Sequence, residues 1–367
     1  AMNDSETMDA LSAMWNNFCV TDIYEPGSVV KPIVMAAALE QGKISTSDTF
    51  YCDGYQNFGV PGNMTTIKCA NIYGHGMETL AEVIANSCND AMMQIGAKMG
   101  VENFLKAQST FNFGSRTGID LPNEGYGIMH TVDTMHETEL ACSAFGQGFS
   151  CTIIQEINAM CSVINGGYYY QPHLVTKVKD ASGATVKTIS PLLQKQTISS
   201  SISADIRSYM QASVEQGTSM TSKVQGYSSG GKTGTAEKFP RGNGKYVVSF
   251  IGFAPVDDPQ VLIYVVIDER NLVDGEGNLI DWDGNRIDEN GYLLNSDGSY
   301  QIDANGEYIK SANLDGISDS YTGSAGETLP EAVSDTNVPG PPEDNTDPIE
   351  DNNMESEGLT NEEAGLD

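Results

Sequence analysis

An α+β fold is expected for this 367-residue chain: an antiparallel sheet flanked by a helical region, followed by an acidic, irregular tail. Two observations predict it. Five stretches within the first 217 residues carry the apolar spacing and stop signals of helices, and residues 228–268 turn to β-branched content at period two. Residues 1–27 are a lead-in that ends in the breaker pair Pro26-Gly27. From Ser28 to Glu40 the chain is alanine-rich and apolar on nearly every side, with Pro32 in the first turn and Gly42 as a stop. A helix with no polar face has nothing to offer water, so this one is predicted to be buried.

Thr79-Leu80-Ala81-Glu82 fits a capping box and opens a helix that runs to about Asn86. A second helix follows from about Cys88 to Lys98, with Gly100 beyond it and Met92, Met93, Ile95 and Met99 along its apolar side. Residues 137–166 read as mostly helical, and 203–217 as a further helix ending at Gly217. Residues 247–254 and 261–268 are two apolar strands joined by Pro255-Val256-Asp257-Asp258-Pro259-Gln260. Residues 228–238 supply a third antiparallel strand, connected through Pro240-Arg241-Gly242-Asn243-Gly244. After Asn271, turn residues alternate with single apolar or aromatic ones at roughly eight-residue spacing, which predicts short irregular hairpins. From about Ser318 the composition is that of disorder. The expected organisation is a domain at 1–271, an acidic turn-rich segment at 272–317 and a disordered acidic tail at 318–367.

Charge excludes one class of partner. The net charge is −31, and residues 271–367 hold 24 acidic side chains against only Arg286 and Lys310. Such a surface repels phosphate backbones, so no nucleic acid is expected. No stretch approaches the ~20 apolar residues of a membrane span, and no signal peptide opens the chain. Seven cysteines without zinc-type spacing, and His75, His130, His136 and His173 without metal or nucleophile spacing, predict neither metal nor cofactor. Cys52 and Cys69 bracket a turn-rich excursion, where a disulfide and two free thiols are both open readings. Cys19, Cys88, Cys142, Cys151 and Cys161 read as small buried hydrophobes, and His75 as structural.

Three short motifs carry candidate chemistry. Ser28-Val29-Val30-Lys31 is an S-x-x-K at a helix start, where positions three apart share a face and an amine reaches a hydroxyl. An amine whose pKa is lowered by burial can serve as the base that serine needs. Ser87-Cys88-Asn89 is an S-x-N between two predicted helices, although serine and asparagine are also ordinary capping residues. Lys232-Thr233-Gly234-Thr235 follows Gly230-Gly231 at a predicted sheet edge. Glycine in a strand marks close approach, and an edge accepts an extended peptide as one more strand. Lys232 and the hydroxyls of Thr233 and Thr235 suit a terminal carboxylate, while the N–H groups of Thr235 and Ser28 suit an oxyanion. Each motif alone has a bland alternative: a helix surface, a cap, a hairpin.

Taken together the three motifs resemble the signature set of penicillin-binding proteins and serine β-lactamases. Tyr24-Glu25-Pro26-Gly27-Ser28, Asn165-Gly166-Gly167, Gly230-Gly231-Lys232-Thr233-Gly234-Thr235-Ala236 and Phe250-Ile251-Gly252-Phe253-Ala254-Pro255 extend the likeness to class B penicillin-binding proteins of the division and spore-septum type. It covers about residues 15–270. The resemblance implies a D,D-transpeptidase that forms an acyl-enzyme on Ser28 with D-Ala-D-Ala stem peptides and binds β-lactam antibiotics covalently. It implies Lys31 as base, Ser87 and Asn89 in proton transfer and substrate placement, and Lys232, Thr233, Gly234 and Thr235 in the carboxylate pocket. It further implies cell-wall or division machinery as partner and the outer face of the cytoplasmic membrane as location, with an anchor upstream.

Two features depart from that family. Its catalytic domain opens with a strand and helix that this sequence starts too late to contain, and residues 271–300 lack the apolar helix that closes its sheet. One sheet face and one edge are therefore expected to lack partners. Two rival readings share these motifs. A serine β-lactamase needs a second base to activate water; Glu124 lies near the right place but in Glu124-Gly125-Tyr126-Gly127-Ile128, without the E-x-x-L-N pattern, and reads as part of a surface turn. The other is a non-catalytic penicillin sensor. In the acidic segment, Asp281-Trp282-Asp283-Gly284-Asn285 does not match an EF-hand loop and reads as a solvated turn. Trp282, Tyr292, Tyr300 and Tyr308 are candidate wall-polymer contacts.

Overall fold

The computed structural model describes residues 15–311, apart from 61, 239–244, 269–271, 274–277, 282–284, 289–291 and 304–305. The lead-in contains a short helix, α1 (Phe18–Thr21), and a two-residue strand, β1 (Ile23–Tyr24). A 3₁₀ turn (Gly27–Val30) then runs straight into α2 (Lys31–Glu40). Every α2 residue from Lys31 to Leu39 is buried, as the all-round apolar composition predicts. This helix is the centre of the molecule.

Around it lie the other helices. An excursion of β2 (Thr49–Cys52), β3 (Tyr55–Val60), β4 (Asn63–Lys68) and β5 (Gly76–Thr79) leads to α3 (Leu80–Ala85). In the capping box the Thr79 N–H donates to Glu82 Oε2 at 2.7 Å, and the Glu82 N–H to Thr79 Oγ1 at 3.4 Å. Helices α4 (Asn89–Met99) and α5 (Val101–Thr110) follow. The stretch 137–166, expected to be mostly helical, is broken into α6 (Glu137–Ala144), β6 (Cys151–Thr152) and α7 (Ile153–Ile164). Gly146 causes the break: its φ is +93°, and a Cβ there would stand 2.0 Å from the Gly27 carbonyl oxygen. Two small hairpin pairs, β7 (Tyr168–Gln171) with β10 (Leu192–Gln196) and β8 (Lys177–Lys179) with β9 (Thr185–Thr188), lead to α8 (Ser200–Gln216).

The sheet is three antiparallel strands in the order β11 (Gly230–Glu237), β12 (Tyr246–Ala254), β13 (Val261–Asp268). Period-two burial orients it. Val247, Ser249, Ile251 and Phe253 of β12 face the helices, while Val261, Ile263, Val265 and Ile267 of β13 are about half exposed on the other face. On that outer face the Phe250 ring lies across two glycines; a Cβ on Gly231 or Gly252 would stand 2.5 or 2.6 Å from it. Tyr24 ties the lead-in to the sheet through a 2.6 Å hydroxyl contact with Tyr264.

Beyond β13 come β14 (Leu272–Val273) and β15 (Leu279–Ile280), then a run of short β-bridges to Lys310. The N–H groups of Ile287, Leu294, Gln301 and Ile309 donate to the carbonyls of Leu279, Arg286, Leu293 and Gln301. The eight-residue spacing seen in the sequence is this ladder's register. Asp281 is 3% exposed rather than solvated, and its carboxylate accepts from the Asn285 N–H, Asn285 Nδ2 and Ser311 Oγ. Tyr292, Tyr300 and Tyr308 pack ring against ring at 4.9–6.5 Å. Trp282 and the tail 318–367 lie outside the described residues.

Candidate active site

Ser28 is the second residue of the 3₁₀ turn, so its N–H has no intrahelical acceptor. The Lys31 N–H donates to the Ser28 carbonyl, which stacks lysine over serine one tight turn on. Gly27, with φ +62°, lets the chain enter this turn, and its N–H donates to the Gly146 carbonyl at 2.9 Å. A Cβ on Gly27 would stand 2.8 Å from the Thr235 carbonyl oxygen, and one on Gly234 2.9 Å from Val29. Those glycines allow β11 to press directly on the serine turn.

Lys31 is wholly buried. Its ammonium donates to the Ser87 carbonyl, to Ser87 Oγ at 3.1 Å and to Asn89 Oδ1 at 2.6 Å, so three N–H groups meet three acceptors. Burial lowers its pKa to about 8, against a smaller opposing pull from Cys88, Cys69 and Glu78. The acceptors converge because α3 ends abruptly. Ser87 adopts a left-handed φ of 56°, closed by bonds from its own N–H to the Ile84 carbonyl and from the Cys88 N–H to the Val83 carbonyl. Cys88 caps α4 and Asn89 opens it.

Lys232 is likewise wholly buried, on the β11 face shared with Gly234 and Ala236. Its Nζ donates to the Thr233 carbonyl at 3.1 Å, and burial together with the Lys31 charge pushes its pKa well down. Thr233 is half-buried and Thr235 exposed on the opposite side of the strand. β11 is an edge strand of its sheet. Thr218, which the sequence did not single out, receives a hydrogen bond from the Thr233 hydroxyl at 3.2 Å. Its N–H donates to the Ala85 carbonyl just ahead of the S-x-N turn. Nothing local in the sequence marks this residue; it joins two motifs only through the fold.

Glu124 is buried rather than part of an exposed surface. It accepts from the Thr117 N–H and hydroxyl, both at 2.5 Å, and from the Gly118 N–H at 3.0 Å. Cys52 and Cys69 are free thiols.

A serine one turn from a buried, pKa-lowered amine, beside a second such amine on a strand edge, has the form of an acyl-serine transfer centre. The chain belongs to the transpeptidase-domain family of penicillin-binding proteins, whose profile matches residues 1–280. It is 41% identical over 257 residues to stage V sporulation protein D of Bacillus subtilis, covering 69% of this chain and 39% of that one. Penicillin binding protein 3 of Mycobacterium tuberculosis, solved with aztreonam, is 26% identical with a TM-score of 0.62, over 69% of this chain and 58% of that one. The D,D-transpeptidase domain of a peptidoglycan glycosyltransferase from Eggerthella lenta shares the fold at a TM-score of 0.63 and 24% identity, over 72% and 67%. The chain spans about two fifths of the length of the curated relatives it matches.

Proposed function

We propose that this chain is the catalytic domain of a peptidoglycan D,D-transpeptidase that works through an acyl-enzyme on Ser28. One observation carries the reading: the Lys31 amine is buried, bonded to both polar residues of the S-x-N turn, and one turn from a serine pressed against the K-T-G-T strand. A stem peptide ending in D-Ala-D-Ala lies along β11, its carboxylate toward Lys232, Thr233 and Thr235. That carboxylate stabilises the Lys232 ammonium, and the Lys232 charge in turn favours the neutral amine on Lys31.

Lys31 takes the Ser28 proton while the serine oxygen bonds to the penultimate D-Ala carbonyl carbon. The N–H groups of Ser28 and Thr235 hold the oxyanion, each worth about 3–4 kcal/mol. The C–N bond to the terminal D-Ala then breaks, and its nitrogen takes a proton relayed through Ser87. Asn89 holds Lys31 and the substrate amide in register. An amine from a neighbouring stem attacks the ester, forms the cross-link and returns Ser28. A β-lactam acylates the same oxygen, but its leaving amine stays tethered. Glu124 argues against rapid hydrolysis, because both its oxygens already accept hydrogen bonds from the Thr117–Gly118 turn. The proposed setting is the outer face of the cytoplasmic membrane, among wall-building or division machinery.

Intact-mass measurement with benzylpenicillin tests this. One adduct per chain is expected, persisting for many minutes and absent from Ser28→Ala. An unmodified wild type sinks the reading, and fast release with turnover of nitrocefin replaces it with a β-lactamase.

A further inference from the structure

The excursion between α2 and the S-x-N turn gathers residues that its sequence spacing keeps apart. Cys52 ends β2, Cys69 follows β4, His75 precedes β5 and Cys88 caps α4. Their ligand atoms all lie within 4.8 Å of one another. Cys52, Cys69 and Cys88 are at most 3% exposed. Two glycines make the convergence possible: a Cβ on Gly54 would stand 2.3 Å from the Ile72 carbonyl oxygen, and one on Gly74 2.4 Å from that of Cys52.

Three of the six donor–donor spacings match those of a coordination shell, and none exceeds 4.8 Å. A tetrahedral zinc ion with Zn–S of about 2.3 Å and Zn–N of about 2.0–2.1 Å sets S···S edges of about 3.8 Å and S···N edges of about 3.6 Å. Here Cys69 Sγ to Cys88 Sγ is 3.8 Å, Cys52 Sγ to His75 Nδ1 is 3.5 Å and Cys69 Sγ to His75 Nδ1 is 3.8 Å. Backbone groups already favour charge on sulfur: the Asn89 N–H donates to Cys69 Sγ and the Ala91 N–H to Cys88 Sγ, each at 3.3 Å. A second buried group faces the same space. Glu78 is 2% exposed; its Oε1 accepts from Asn86, while Oε2, 3.7 Å from His75 Nδ1, has no hydrogen-bond donor.

We propose that Cys52, Cys69, His75 and Cys88 form a structural site for one thiophilic divalent cation, zinc by chemical class, which anchors the S-x-N turn. Three thiolates and an imidazole select zinc over magnesium or calcium. Binding forms three S–metal bonds and one N–metal bond, and the thiol protons pass to solvent. Cys88 is the central residue of Ser87-Cys88-Asn89, so fixing its sulfur fixes the two flanking residues that hold Lys31. The sequence predicts no metal because the ligands come from a strand end (Cys52), one loop (Cys69 and His75) and a helix cap (Cys88), and no two follow a finger-like repeat.

The test uses zinc alone, with cobalt(II) as its spectroscopic substitute, on chain purified under reducing conditions. About one zinc per chain is expected by elemental analysis and native mass. Cobalt should give thiolate charge-transfer bands and the intense visible bands of a tetrahedral site. Cys69→Ser and His75→Ala should each weaken metal binding by at least about 10-fold. Cys69→His should restore it, and Cys161→Ser should leave it unchanged. Free thiols that bind no cobalt, a Cys69–Cys88 disulfide in the reduced preparation, or equal binding by wild type and Cys69→Ser would each overturn the site. A further arm rests on the acyl-serine reading: chelation should slow penicillin labelling of Ser28 about 10-fold, reversed by zinc. Metal that binds without changing labelling discards the anchoring role and leaves the site standing.

Discussion

In the proposed mechanism, burial is what suits Lys31 to act as a base. In water its ammonium would hold its proton far above neutrality; wholly enclosed, it is drawn down to about 8. The acylating form is the free amine, so the rate of β-lactam acylation should rise with pH up to about 8 and then level. A stopped-flow or mass-resolved pH series checks this, and a profile flat from pH 6 to 9 would remove Lys31 from the role. Lys31→Ala should cost about 10²–10⁴-fold in acylation rate with the fold retained. Lys232 is the harder residue to read from sequence. A lysine on a strand suggests a surface charge, but its partners on β12 and the helices behind the sheet enclose it completely.

At the scale of elements, the site depends on how closely a turn and a strand approach. The 3₁₀ turn carrying Ser28 and the strand carrying Gly234 meet backbone to backbone, and Gly27 and Gly234 stand where any side chain would intrude. Gly27→Ala adds a left-handed φ to a 2.8 Å clash with the Thr235 carbonyl oxygen. It should cost about 2–3 kcal/mol in urea unfolding and slow acylation at unchanged Ser28 chemistry. Equal stability and rate in variant and wild type would mean the turn and strand are not coupled. The strands, the capping-box helix and the Ala-rich helix were legible because period, caps and stop residues act locally. The break at 145–150 was not, because the carbonyl that demands glycine at 146 belongs to Gly27, more than a hundred residues earlier.

Across the whole molecule, one buried acid records the cost of closing the layers. Glu156 of α7 is wholly buried, neither carboxylate oxygen has a hydrogen-bond partner, and burial raises its pKa from 4.5 to about 8. Below pH 4.5 folded and unfolded chains both hold this proton. Between 4.5 and 8 only the folded chain does, so stability falls as pH rises, and above 8 the loss is complete. Glu156→Gln should abolish that fall. Across this window the wild type should lose on the order of 4 kcal/mol relative to the variant in urea unfolding. Parallel pH curves for the two would show the acid to be ionised or hydrated in solution. The outer face of β13 shows the opposite economy: Val261, Ile263, Val265 and Ile267 stay half exposed.

The sequence by itself determined the principal helices, the three-stranded sheet, the family and the three motifs, since helix period, caps and strand alternation need only near neighbours. It also marked the eight-residue rhythm of the acidic segment, a local hydrogen-bond register. Only the tertiary structure decided which distant groups share a space: Lys31 with Ser87 and Asn89, Thr218 with Thr233, Glu124 with the Thr117–Gly118 turn, and three cysteines with His75. These meetings close chain separations of six to 58 residues, and each depends on where the intervening elements turn rather than on any local period or cap.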